Sequence, residues 1–246
     1  MHAESKKHMR RLIAKHIAPL PSGRVLDIGA MGKNPHYRRM WEPLGWDYTG
    51  LDMAAGHNVD MVLEDPWIFP MEDNSFDAIC SGQMLEHNEM FWLSFMEMNR
   101  VLKMGGMMIH IAPSRGYEHR APQDCWRFYR DGMFALAKWS GFEVLEATTD
   151  WAPEHLEFFE TRRKSKLPHI RSTMKMAETQ WGDCVGVFRK VSEVQDSLGM
   201  AYMRKLSKPV STQKPAAKPR VTSRAKSPVT ARKMTTATTK SRTAAK

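Results

Sequence analysis

The chain has little cysteine. Cys80, Cys125 and Cys184 lie far apart and form no CxxC pair. This argues against a disulfide framework or a zinc site, so no metal is expected, and a reducing, cytoplasmic setting is the default. Long apolar runs are missing too: no stretch approaches the ~18 residues a membrane-spanning helix needs. Acidic residues are absent from Ser207 to Lys246, which hold eleven Lys and Arg and no Asp or Glu. Removing that +11 from the formal charge of +10 leaves −1 for residues 1–206, so the high isoelectric point belongs to the tail. Nor does any aromatic residue follow Tyr202, which rules out base stacking as part of a tail contact.

The tail is built from Lys, Pro, Ala, Ser and Thr with almost no large apolar side chain. Such a segment cannot bury enough surface to offset its ordering entropy, and disorder is expected for residues 207–246. Two roles stay open for it: weak, salt-sensitive contact with a polyanion such as nucleic acid, or a solubilising extension. At the other end the chain is basic but has no apolar core of the kind a secretion signal carries. Met9, Leu12, Ile13, His16 and Ile17 fit an amphipathic helix within residues 1–20, which is expected to cover an edge of the domain rather than lie on a membrane.

Between these ends, short apolar strands alternate with helical stretches. Strands are predicted at Arg24–Ile28, Asp47–Leu51, Val59–Leu63, Ser75–Ser81, Met107–Ala112, Phe142–Ala147 and Cys184–Arg189. Helices are predicted over Tyr37–Leu44, over Glu89–Leu102 with a stop at Gly105-Gly106, over Asp131–Ser140 closed by Gly141, and over Val191–Leu206. Residues 151–180 read as a variable insertion. This alternation implies an α/β fold, a mostly parallel, doubly wound sheet with helices on both faces, occupying residues 1–206. Most of the twenty methionines, such as Met96, Met98, Met107 and Met108, sit in apolar stretches and suit core filling.

Two strand ends stand out. VLDIGA (Val25–Ala30) closes on an acid and a glycine, and YTGLD (Tyr48–Asp52) closes on a second acid about twenty residues later. A glycine that lets backbone approach, with two carboxylates beside it, suits a Rossmann-type site for a nucleoside cofactor. With EDPWIFPMEDNSFDAICSGQMLEH and NRVLKMGGMMIHIAPS, these segments follow the order found in class I S-adenosylmethionine-dependent methyltransferases, which the chain resembles over residues 24–149. HRAPQDCWRF (His119–Phe128) and WGDCVGVFRK narrow the resemblance to bacterial members associated with surface-polysaccharide or other glycan biosynthesis.

The resemblance implies a Rossmann-like seven-stranded sheet, S-adenosyl-L-methionine as cofactor, and specific roles. Asp27, Gly29 and Ala30 would lie against the methionine half, and Asp52 would accept hydrogen bonds from the ribose hydroxyls. Met53 would contact the adenine face, Asp65 (with Glu64 competing) would read the adenine amino group, and Gln83 would line the pocket near the methyl donor. At each acid a cap or turn role is the alternative. The family's later loop glycines are replaced by Met31 and Lys33, and Gly32 is the candidate for the permissive backbone.

Methyl transfer to a hydroxyl asks for in-line placement and a base. His87, His119 and Asp124 are the candidates, each weighed against a packing or capping role. Trp126, Arg127 and Phe128 would either wall an acceptor pocket or anchor the loop. The expected activity is O-methylation of a small molecule or glycan. A nucleic-acid or ribosome-associated acceptor held by the tail is the alternative, although the body lacks an NPPY-type motif; a non-catalytic binding module that kept the fold is another.

Overall fold

The computed structural model describes residues 3–32, 37–150 and 181–194. Lys33, the insertion at 151–180, the greater part of the Val191–Leu206 helix and the tail at 207–246 lie outside the described residues. The element order is α1 (Ala3–Leu12) running into a π turn (Ile13–Ile17), β1 (Arg24–Ile28), α2 (Arg38–Trp41) with a 3-10 turn (Glu42–Leu44), β2 (Asp47–Asp52) and β3 (Met61–Val62). There follow β4 (Phe76–Gly82), a 3-10 turn (Leu85–His87), α3 (Phe91–Val101), β5 (Leu102–Arg115), α4 (Arg130–Trp139), β6 (Phe142–Thr149) and β7 (Gly182–Lys190).

The seven strands form one sheet in the order β3-β2-β1-β4-β5-β7-β6. All pairings are parallel except those of β7, which runs antiparallel to both β5 and β6. The strand order reverses between β1 and β4, and ligands of open α/β sheets bind outside the carboxyl ends at such a switch point.

The near-continuous apolar runs of β1 and β4 follow from burial on both faces, as a covered parallel sheet requires. Alternate residues go to opposite sides. Leu26, Ile28, Ile79 and Met108 pack with Phe95 and Met98 of α3 and Met133 and Leu136 of α4. Val25, Ala78, Cys80, Ile109 and Val187 pack with Met9, Leu12, Ile13 and Ile17 from the N-terminal helix and Trp41 of α2. Each such aliphatic side chain contributes about 1.5–3 kcal/mol relative to exposure.

The N-terminal helix therefore covers a sheet face instead of an edge. It continues through the π turn, whose five-residue spacing is closed by Ala18 N donating to Ile13 O (2.9 Å), and this keeps Leu12, Ile13 and Ile17 all inward. Arg11 and Lys15 then ion-pair with Glu146 of β6, and His16 hydrogen-bonds to it.

One helix end differs from expectation. Helix α3 stops at Val101, not at Gly105-Gly106, because Leu102 is already extended and pairs with Phe76. The next pair in register is Ala78 with Met107, so residues 103–106 are accommodated as an irregularity in β5. Gly105 sits there at φ +77°, a backbone conformation that a glycine adopts without strain. The carbonyls of Arg100 and Val101 accept from the amides of Asn74 and Ser75, which closes the helix in place of a glycine cap.

Candidate functional site

The loop after β1 folds over the tip of β2. Gly29 N and Ala30 N both donate to Leu51 O, at 2.9 and 3.1 Å. Gly29 adopts φ +80°, and a Cβ there would lie 2.7 Å from Cβ of Met84. Glycine is thus demanded by close packing between this loop and the segment leaving β4. Beyond it, Gly32 N donates to His57 O and Gly32 O accepts from Asn58 Nδ2, both at 3.4 Å.

Asp27 and Asp52 emerge on the same face: Asp27 pairs with Gly50, two residues before Asp52. The Asp52 carboxylate accepts from Met31 N (2.9 Å) and Ala54 N (3.3 Å). An ionised carboxylate offers about four acceptor positions, so capacity remains at this half-buried group. Asp27 is only 3% exposed; Oδ2 accepts the Tyr48 hydroxyl, while Oδ1 is buried with no hydrogen-bond partner among the described residues. Burial pushes its carboxyl up to about 7, with the Asp52 charge adding to that push and bonds from Tyr48 and Cys80 opposing it.

The remaining cofactor-side candidates follow the ends of β2, β3 and β4. Met53 is 60% exposed beside Asp52. Asp65 makes a turn, its Oδ1 accepting from Trp67 N at 2.9 Å, and Glu64 is exposed next to it. Gln83 leaves β4 at φ +60°, a conformation rare outside glycine, with its amide bonded to Ile111 O (2.8 Å) and its side chain donating to Asp183 Oδ1 (3.0 Å).

The loops after β4 and β5 bring the acid–base candidates together. His87 and His119 stack edge to face with ring centroids 5.0 Å apart, and Trp181 closes on His119 at 4.9 Å. The His87 Nδ1 contacts the Gln123 carbonyl, which can only accept, so that nitrogen donates, and in the neutral ring Nε2 then holds the lone pair. Asp124 accepts from His119 N (2.7 Å) and takes both guanidinium nitrogens of Arg127, which holds its carboxyl well below the usual range. Asp124 is thereby a fixed anion that orients its loop. Burial lowers the His119 imidazole, with Asp124 opposing that shift.

Phe128 is buried against Phe91 and anchors the loop in the core, whereas Trp126 is 38% exposed with its indole donating to Asn88 O. Glu86 is the residue that sequence reasoning passed over. It stands beside His87 in LEH, yet its side chain is completely buried, neither oxygen has a hydrogen-bond partner among the described residues, and burial raises it to about 8. An acid next to a histidine was visible in the sequence; its burial was not.

The fold agrees with comparisons to known proteins. Residues 26–110 match the family described as Methyltransferase domain. The chain is 34% identical to demethylmenaquinone methyltransferase of Roseiflexus castenholzii (strain DSM 13941 / HLO8) over 177 residues, which span 68% of this chain and 71% of that protein. In fold it is similar to geranyl diphosphate methyltransferase in complex with SAM (TM-score 0.52, 16% identity, 76% of this chain and 85% of that one). It is also similar to the [4+2]-cyclase SpnF (TM-score 0.53, 20% identity, 75% and 80%). The chain belongs to the class I S-adenosylmethionine-dependent methyltransferases. It is an enzyme of that class, with S-adenosylmethionine as its cofactor.

The residues present fit that cofactor. Asp52 supplies unused acceptor capacity at a strand tip, as a ribose diol requires, and Asp27 Oδ1 is a buried acceptor with no donor among the described residues. No helix among the described residues is long and apolar enough to cross a membrane.

Proposed function

We propose that the enzyme methylates a hydroxyl of a small molecule or glycan, with His119 as the base that takes the hydroxyl proton. The observation that supports this most is the pairing of His87 and His119 on the loops beyond β4 and β5, on the carboxyl-end side of the sheet. S-adenosylmethionine supplies a methyl already activated on its sulfonium. The chain then has to bind, orient and deprotonate.

In this reading Asp52 holds the ribose hydroxyls, Met53 covers the adenine face and Asp65 reads the adenine amino group. Gly29, Ala30 and Gly32 present loop backbone, Asp27 Oδ1 takes a proton donor from the methionine half, directly or through water, and Gln83 lines the methyl-donor side. Burial favours the neutral form of His119, the form able to accept a proton. Asp124, tied to Arg127, orients the loop that carries His119. Trp126 offers a partly exposed aromatic face to a sugar or ring.

The test is transfer of labelled methyl from S-adenosylmethionine to a panel of glycosides, phenols and alcohols by the full chain, with product bonds assigned by NMR. O-methyl products, with kcat falling about 10²–10⁴-fold in His119→Gln while S-adenosylhomocysteine affinity is kept, are expected. Label found only on nitrogen or carbon would refute the hydroxyl assignment.

A second reading puts the methyl on a ring carbon of a quinol-like acceptor. It is favoured by the likeness to a protein named for demethylmenaquinone and by the cluster of Phe91, Trp92 and Trp126. The NMR assignment above separates the two.

A further inference from the structure

Glu86, His87 and His119 each bring one metal-ligating atom to within 4.8 Å of the other two. Nothing else at the site accounts for Glu86. Its side chain is fully buried and neither of its oxygens has a hydrogen-bond partner among the described residues, a costly arrangement for a carboxyl group unless something else satisfies it. Its Oε1 stands 3.6 Å from Nε2 of His87, too long for a hydrogen bond. Two donors on one tetrahedral zinc ion, at bond lengths of about 2.0–2.1 Å, are separated by roughly 3.3 Å, so the gap suits a shared cation.

The supports behind the two imidazoles point the same way. The Gln123 carbonyl fixes Nδ1 of His87 and leaves Nε2 as donor. Asp124 Oδ2 lies 3.2 Å from Nδ1 of His119 and is itself clamped by Arg127. The carbonyl behind His87 is the kind of group that orients a metal-bound imidazole, and His119 Nδ1, buried and without a hydrogen bond to Asp124 or any other described residue, is left available as a ligand atom. By contrast His8, Asp150 and Asp183, which also come close together, are already engaged: His8 pairs with Asp150 at 2.6 Å and Asp183 accepts from Gln83.

We propose that Glu86, His87 and His119 bind a divalent transition cation of the zinc class. Two imidazoles and one carboxylate are a known donor set for zinc, and three protein ligands leave a fourth position for water or an acceptor hydroxyl. The site goes beyond the assignment of His119 as a base and does not depend on it. With the cation bound, His119 is a ligand and a hydroxyl in the fourth position is acidified by the metal; with the site empty, the imidazole is free to act as base.

The test is titration of the chelator-stripped full chain with Co2+, read by visible d–d absorption, followed by displacement with Zn2+. One equivalent bound, with intense bands of four-coordinate cobalt, is expected. His87→Ala, His119→Gln and Glu86→Gln should each weaken binding by 100-fold or more, Asp124→Asn by about 10–100-fold, and His8→Ala should not change it. S-adenosylhomocysteine binding and near-UV circular dichroism identify variants that keep the fold, and two independent ligand variants guard against loss of one. Wild-type protein that binds no cobalt at micromolar concentration, or folded His87 and His119 variants that bind as tightly as wild type, would overturn the site. The readout needs neither acceptor nor turnover, so a negative result leaves the base assignment to be judged on the methylation kinetics alone.

Discussion

Tyr48 of β2 donates its hydroxyl to the buried carboxylate of Asp27 on the neighbouring strand β1. Desolvation of Asp27 nevertheless dominates, and the group titrates at about 7 in the folded protein, against 3.8 ordinarily. The folded state therefore holds this proton more tightly than the unfolded chain does. The stability so gained is full below about 3.8 and is lost as pH rises towards 7 and beyond. Asp27→Asn should raise Tm relative to wild type at pH 8 by several degrees, with little gain at pH 4. Thermal melts at the two pH values check it; equal effects at both would show that the carboxyl titrates normally.

Glu146 works in the opposite direction. Burial pushes its carboxyl up, but Lys15, His16 and Arg11 outweigh that and bring it down to about 2. Its contribution to docking the N-terminal helix is present above the ordinary 4.5 and disappears as pH falls from there towards 2. Glu146→Gln should cost about 1 kcal/mol at pH 7 and nothing measurable near pH 2, a small figure because two of its cationic partners are largely exposed. Urea unfolding at both pH values gives the comparison.

Asp52→Ala should weaken S-adenosylhomocysteine binding by about 100-fold, from losing two hydrogen bonds to a charged acceptor worth about 1.5 kcal/mol each. Calorimetric titration measures it. Retained affinity would place the ribose elsewhere.

Gly29→Ala should destabilise the protein by about 1–3 kcal/mol, since the new methyl meets Met84 and the backbone lies at φ +80°. Denaturant midpoints of Gly29→Ala, Met84→Gly and the double variant separate the two contributions: a cost of Gly29→Ala that shrinks in the Met84→Gly background, which removes the Cβ it would meet, assigns it to the clash.

Removal of residues 207–246 should leave kcat/KM towards a small acceptor unchanged while abolishing any salt-sensitive retention on polyanion columns. A fall in turnover with the truncated chain would favour the nucleic-acid acceptor instead.

The strands were legible because burial on both faces forces near-continuous apolar runs, as in Val25–Ile28 and Phe76–Cys80. The end of α3 was misread for a physical reason: Gly105 looks like a helix stop, yet here it serves an irregular strand pairing that depends on the partner Phe76. The proximity of the two histidines follows from their places on the loops after β4 and β5, and the two acids could be placed at strand ends from the apolar runs they close. What could not be read was whether a polar group is satisfied. Asp65 has a backbone amide to accept from and Asp124 has an arginine, whereas Glu86 has neither, and nothing local in LEH distinguishes it.

Among the described residues, strand β6 pairs with the sheet only through β7, and β7 is the last strand. During synthesis, then, β6 has no neighbour to pair with until residues 182–190 have left the ribosome and inserted beside β5. Asp183, the partner of Gln83, arrives in the same event. A nascent chain halted before that point would lack both the β6 edge of the sheet and the side-chain partner of Gln83.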